Sequence, residues 1–132
     1  DLQKNVDVLE RAYNDSRDVT AAFNRNVLVR MNRELGADFD VDAFRHYAFY
    51  NRDRHRIEMH LVSTRDQVVR VGDVAFSFRA GESIHTENSY KFHVPALADR
   101  MARRGWRLDA HWTDADRFFA VLYFTNAGSR IA

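Results

Sequence analysis

Trp106-Arg107-Leu108-Asp109-Ala110-His111-Trp112, then Thr113-Asp114-Ala115-Asp116, then Phe118-Phe119-Ala120-Val121-Leu122-Tyr123-Phe124 is the stretch that decides the fold class. In its first part Trp106, Leu108, Ala110 and Trp112 alternate with other residues, the period of a strand. The middle part has turn composition. The last part is almost continuously apolar and fits a strand buried on both faces, which needs helices above and below it. The pair implies an α/β protein whose mixed sheet ends in an antiparallel hairpin.

Working outward, Pro95 suits the first turn of a helix carrying Leu97, Ala98 and Met101 up to Gly105. Ile84 to Phe92 reads as a strand, polar over much of its length. Val68 to Val71, Gly72-Asp73, and Val74, Phe76 and Phe78 read as a hairpin with a two-residue turn. Ile57, Met59 and Leu61 alternate as in a strand, and the period before them is helical. Asp38 or Asp40 can cap a short turn of helix holding Phe44 and Tyr47. Asp18 can cap a longer helix in which Phe23, Val27, Met31 and Leu35 recur, with Gly36 suited to its C-terminal end. Val6 to Tyr13 predicts a short first helix, broken by Asn14-Asp15-Ser16. With one Pro and five scattered Gly no linker or repeat is visible, so residues 1–132 read as a single unit.

Composition narrows the function classes. The 132 residues carry 20 basic and 19 acidic side chains, so no net field exists to hold nucleic acid or an anionic membrane. No apolar run approaches the roughly 18 residues of a membrane span. Absent cysteine removes disulfides and thiolate chemistry and suits a cytoplasmic protein. The six His are scattered without the close pairing of a zinc motif, so no metal site is expected, His85-x-Glu87 being the best fragment of one. Arg52, Arg54 and Arg56 with Asp53 read as a solvated charged turn. No phosphate loop, dinucleotide fingerprint or nucleophile elbow is present, and no catalytic residue is assigned. The chain on its own does not read as a complete cofactor enzyme.

If Ile84 to Phe92 is extended, Glu87 and Ser89 share a face about 7 Å apart, with His85 beside them and Lys91 beyond. A carboxylate and a hydroxyl so placed can grip a neutral imidazole, which offers one N–H and one bare nitrogen. Glu and Ser are equally ordinary residents of a wet sheet face. Met59 fits simple core filling, and Thr20 fits ordinary helix-start chemistry.

Several stretches together carry a resemblance: Asp1-Leu2-Gln3-Lys4, Leu9-Glu10-Arg11-Ala12-Tyr13-Asn14-Asp15, Val19-Thr20-Ala21-Ala22-Phe23-Asn24-Arg25-Asn26, Asn32-Arg33-Glu34-Leu35-Gly36-Ala37-Asp38-Phe39-Asp40, Ile57-Glu58-Met59-His60-Leu61, and Gly81-Glu82-Ser83-Ile84-His85-Thr86-Glu87-Asn88-Ser89-Tyr90-Lys91-Phe92. In this order they resemble the C-terminal region of the S-adenosylmethionine-dependent histidine Nα-methyltransferases of the ergothioneine-biosynthesis type. The resemblance implies a class I, Rossmann-like methyltransferase with a β-hairpin insertion in its substrate domain, here without the N-terminal half that binds S-adenosylmethionine. It implies that Glu87 and Ser89 hold the imidazole of histidine, that Met59 borders it, and that Thr20 lies near the substrate. Asn88 and Tyr90 depart from the actinobacterial pattern, which is apolar and small at those places, so a related amine stays open as substrate. The implied whole protein is an enzyme and this chain alone is inactive, or a non-catalytic binding module. Its expected partners are a small molecule and a second copy meeting surfaces that the missing half would cover.

Overall fold

The computed structural model describes residues 1–126, as two compact units. One runs from Val6 to Ser89; the other joins Asp1–Asn5 to the residues from Tyr90 onward.

In the Val6–Ser89 unit, helix α1 (Val6–Tyr13) and helix α2 (Val19–Leu35) precede strands β1 (Phe44–Asn51), β2 (Arg56–Ser63), β3 (Gln67–Val71), β4 (Val74–Phe78) and β5 (Ser83–Tyr90). A three-stranded sheet has the order β1-β2-β5, and β3-β4 form a separate hairpin. β1 and β2 are antiparallel from Phe44 opposite Ser63 to Asn51 opposite Arg56. Ser63 N–H reaches Glu82 O at 2.8 Å, while Thr86 Oγ1 lies 3.0 Å from Met59 O, so β5 also runs against β2.

The central strand carries the core. Leu61 and Val69 pack with Leu28, Phe39 and Phe44, and Ile57 and Met59 pack with Leu9 and Ala48. Each fully buried Leu or Ile of this kind is worth about 1.5–3 kcal/mol. Gly72 supplies the positive φ of 58° that the tight β3-β4 turn requires. Asn32 fixes the exit of α2, its amide oxygen accepting from Phe39 N–H and its amide nitrogen donating to Phe39 O, both at 2.8 Å.

Several expectations are corrected. Phe44 and Tyr47 lie on β1, and the helical turn that follows Asp40 is the single 3-10 turn Val41–Ala43. Aromatic and mixed residues there are claimed by pairing with β2, which outweighs a weak local helix signal. Asp18 does not cap α2 through its side chain but adopts a left-handed φ of 55°. Asp15 accepts instead, from Val19 N–H at 3.1 Å and Thr20 N–H at 2.9 Å. Phe23, Val27 and Leu35 are exposed, and the face of α2 that enters the core is Ala21, Asn24 and Leu28. Arg56 is not part of a solvated turn; it is buried and ion-paired to Glu58 at 2.6 Å.

In the other unit, helix α3 (Val94–Ala102) packs on strand β6 (Trp106–Thr113), which pairs antiparallel with β7 (Ala120–Asn126). Pro95 lies in the first turn of α3, as its fixed φ and missing N–H favour. The expected hairpin is present, and β6-β7 form a two-stranded sheet among the described residues. Burial on both faces of the last strand is not found: Phe119, Val121 and Tyr123 are exposed. Ala120, Leu122 and Phe124 are half-buried, so among the described residues one face of this strand is covered more than the other.

Candidate functional site

An open cleft of about 640 Å³ lies between α2 and the β5 side of the sheet. Phe23, Val27 and Met31 of α2, Met59 of β2 and Ile84 of β5 give it apolar walls. Asn24, His85, Thr86 and Glu87 are its polar lining near the sheet. A mostly apolar hollow with a few convergent polar groups is the ordinary form of a small-molecule site. Of the apolar stripe of α2 read from its spacing, Phe23, Val27 and Leu35 thus face the cleft, while Met31 lines it and also packs on the core.

Asn24 organises the polar floor. It is buried, and its amide nitrogen donates to His60 O at 3.1 Å and to His46 Nδ1 at 3.0 Å. An amide N–H can only donate, so His46 Nδ1 is bare, and the proton on Nε2 is donated to Tyr13 O at 2.8 Å. Thr86 Oγ1 lies 2.6 Å from Asn24 Oδ1 and 3.0 Å from Met59 O. The arrangement ties helix to sheet with its groups paired, which makes it a rigid base for the cleft.

Glu87 lines the cleft, half-buried, and no side chain among the described residues bonds its carboxylate. Along β5, Glu87 and Ser89 are half-buried while Asn88 and Tyr90 are exposed, so the segment is extended with the two residues turned inward. Ser89 does not line the cleft; its Oγ lies 2.7 Å from the Tyr13 hydroxyl. Met59 is buried and both fills the core and borders the cleft. Thr20 stands in the first turn of α2, held by Asp15, and does not line the cleft. The structure therefore brings Met59 and Glu87 to one hollow, sets Ser89 two residues along the same strand, and leaves Thr20 apart.

Sequence reading missed Asn24 and Tyr13 as polar participants. The signal for Asn24 was available: it falls between Ala21 and Leu28 on a helix stripe, where a buried amide requires partners. Tyr13 had been counted only for its apolar ring.

Two tests bear on bound groups. Gly36, Gly72, Gly81 and Gly105 each have positive φ at a turn or helix end, and a Cβ built on any of them meets nothing within 4 Å. None of these four is packed so closely against the described protein that a side chain would not fit. For metals, Glu58, His60 and His85 are brought together among the described residues.

Residues 1–126 match the sequence model of a family described as histidine-specific methyltransferase, SAM-dependent. Two relatives, the histidine N-alpha-methyltransferases of Mycolicibacterium smegmatis and of Mycobacterium tuberculosis, are each 50% identical to this chain over 116 residues. In both the match covers 86% of this chain and 36% of the relative, so the chain spans little more than a third of their length. With the family match running through nearly the whole chain, the chain belongs to the histidine-specific, SAM-dependent methyltransferases.

Proposed function

We propose that this chain is the C-terminal, substrate-recognising part of an S-adenosylmethionine-dependent methyltransferase acting on the α-amine of histidine. The observation that carries the reading is the Glu87 carboxylate, without a side-chain partner among the described residues, on the wall of a cleft that Met59 also lines. A carboxylate in that position accepts the N–H of a neutral imidazole, and Ser89 donates to the ring's bare nitrogen. Tyr13 stands beside it, its hydroxyl 2.7 Å from Ser89 Oγ. Met59 supplies a polarizable apolar border to the ring. Thr20 is a weaker member of the same set.

Fixing the ring orients the far, reacting end of the amino acid, and closing the cleft excludes water from it. The methyl donor is held elsewhere, in a segment outside these residues, and this chain alone transfers no methyl group. The whole protein in this reading is a cytoplasmic class I, Rossmann-like enzyme of ergothioneine biosynthesis. Its sheet ends in β6-β7, and its substrate domain carries β3-β4 as an inserted hairpin. Residues 1–132 form the substrate-binding part together with the last strands of that sheet. Asn88, exposed beside Glu87, keeps a related amine as the alternative substrate.

The test uses the full-length polypeptide. Glu87→Ala weakens histidine binding by roughly 10- to 100-fold, as loss of a charge-assisted hydrogen bond worth ~1.5–3 kcal/mol requires. Donor binding stays unchanged in the same calorimeter. Ser89→Ala acts in the same direction but less, because one neutral bond is lost. Histidine affinity equal to wild type in Glu87→Ala overturns the assignment.

A further inference from the structure

Glu58, His60 and His85 offer three ligand atoms within 4.8 Å of one another. They come from two adjacent strands, β2 and β5, so a shared ligand would pin the edge strand to the centre of the sheet.

Glu58 is buried and prepared as an acceptor. Arg56 holds its Oε1 through Nη2 at 2.6 Å and Nε at 2.8 Å, and Asn51 Nδ2 adds a third donor at 2.9 Å. These contacts fix the carboxylate and direct Oε2 toward His60, whose Nε2 lies 3.5 Å from it. That nitrogen is the second observation: it is buried and has no hydrogen-bond partner among the described residues. A buried ring nitrogen left unmatched beside a carboxylate is costly unless something occupies the gap. His60 Nδ1 lies 3.3 Å from Ser83 Oγ, an arrangement that leaves Nε2 as the ligating atom.

We propose that Glu58 Oε2, His60 Nε2 and a ring nitrogen of His85 form a binding site for one divalent transition-metal ion of the zinc type. One carboxylate and two imidazoles are a donor set that such ions take, with a fourth position open to water. Zinc bonds of about 2.0–2.2 Å set donor separations near 3.5 Å, so the group must close by about 1 Å. His85 supplies the movement. It is exposed, and its stack on His60 (centroids 4.5 Å, 17° between planes) and its 3.2 Å contact to Glu87 O are both given up as the ring turns. The Arg56 guanidinium on Oε1 opposes a nearby cation, which makes the site weaker than one built from unpaired ligands. Releasing Glu87 O also touches the strand that carries the Glu87 carboxylate, although the metal site does not depend on what that carboxylate binds.

Purified protein is titrated with Co²⁺ in the visible range and with Zn²⁺ against a chromophoric chelator. The proposal expects one equivalent of metal per chain and cobalt bands of a low-coordinate nitrogen–oxygen site. His85→Ala, at an exposed position that leaves the core intact, weakens Zn²⁺ by more than about tenfold, since even outer-sphere partners of a metal are worth 10- to 100-fold. His55→Ala, an exposed histidine outside the cluster, leaves it unchanged. Binding that is substoichiometric, or equal in wild type and His85→Ala, overturns the proposal.

Discussion

The two outer edges of the three-stranded sheet are treated in opposite ways. Along β1 the edge is sealed by side chains of α1 and the turn after it. Asn14 Oδ1 accepts from Ala48 N–H at 3.2 Å, its Nδ2 donates to Ala48 O at 2.9 Å, and Glu10 Oε1 accepts from Tyr50 N–H at 2.9 Å. At β5 the sheet borders the cleft, where the Glu87 carboxylate has no side-chain partner among the described residues. Exposed strand edges invite unwanted pairing, and proteins suppress them by covering or charging them. An acidic group beside a lined hollow, facing away from an edge closed atom by atom, is the feature on which the proposed recognition role rests.

The strand between the edges sets the scale. Leu61→Ala on β2, at a position with no exposure, lowers stability by ~2–5 kcal/mol in denaturant unfolding and disturbs both edges together. If that loss stayed below about 1 kcal/mol, the sheet would not be the shared base of both. Asn14→Ala breaks the sealed edge alone and costs about 1–3 kcal/mol, because Ala48 loses both backbone partners. Glu87→Gln on the open edge changes stability by less than about 0.5 kcal/mol, as expected where no internal bond is removed. Equal losses for these two variants would erase the contrast.

The smallest effect concerns the start of α2. Hydrogen bonds from Thr20 and Val19 N–H hold the Asp15 carboxyl down at about 2, against an ordinary value of 3.8. A depressed carboxyl adds stability that is complete above its unfolded value and fades as pH falls from about 4 toward 2. Amide exchange at Val19 and Thr20 should quicken across that window, and Asp15→Asn should flatten the change. Exchange rates independent of pH beyond their intrinsic trend would remove Asp15 from the cap.

Much of this was legible from residues. The 8-residue α1, the Gly72 turn, the β2 alternation and the Pro95 helix all rest on local signals strong enough to survive tertiary context. Phe44 and Tyr47 misled because pairing with Ser63 and His60 is a long-range fact with no local trace. Asp15 displaced Asp18 as cap because the chain enters α2 through a left-handed residue, which brings the earlier carboxylate under the helix. At the site, Met59 and Glu87 were accessible through period and family pattern. The Tyr13 hydroxyl on Ser89 joins residues 76 apart, and the buried Arg56–Glu58 pair looked like surface charge until β2 proved central.

The hairpin β6-β7 has a practical bearing. Both tryptophans of this chain, Trp106 and Trp112, lie on β6, at 37% and 59% exposure. Intrinsic fluorescence excited at the indole band therefore originates from that ribbon and not from the sheet bearing Glu87. Emission is long-wavelength while water reaches the rings, and whatever covers the ribbon turns it blue, giving a label-free optical readout of association separate from ligand occupancy.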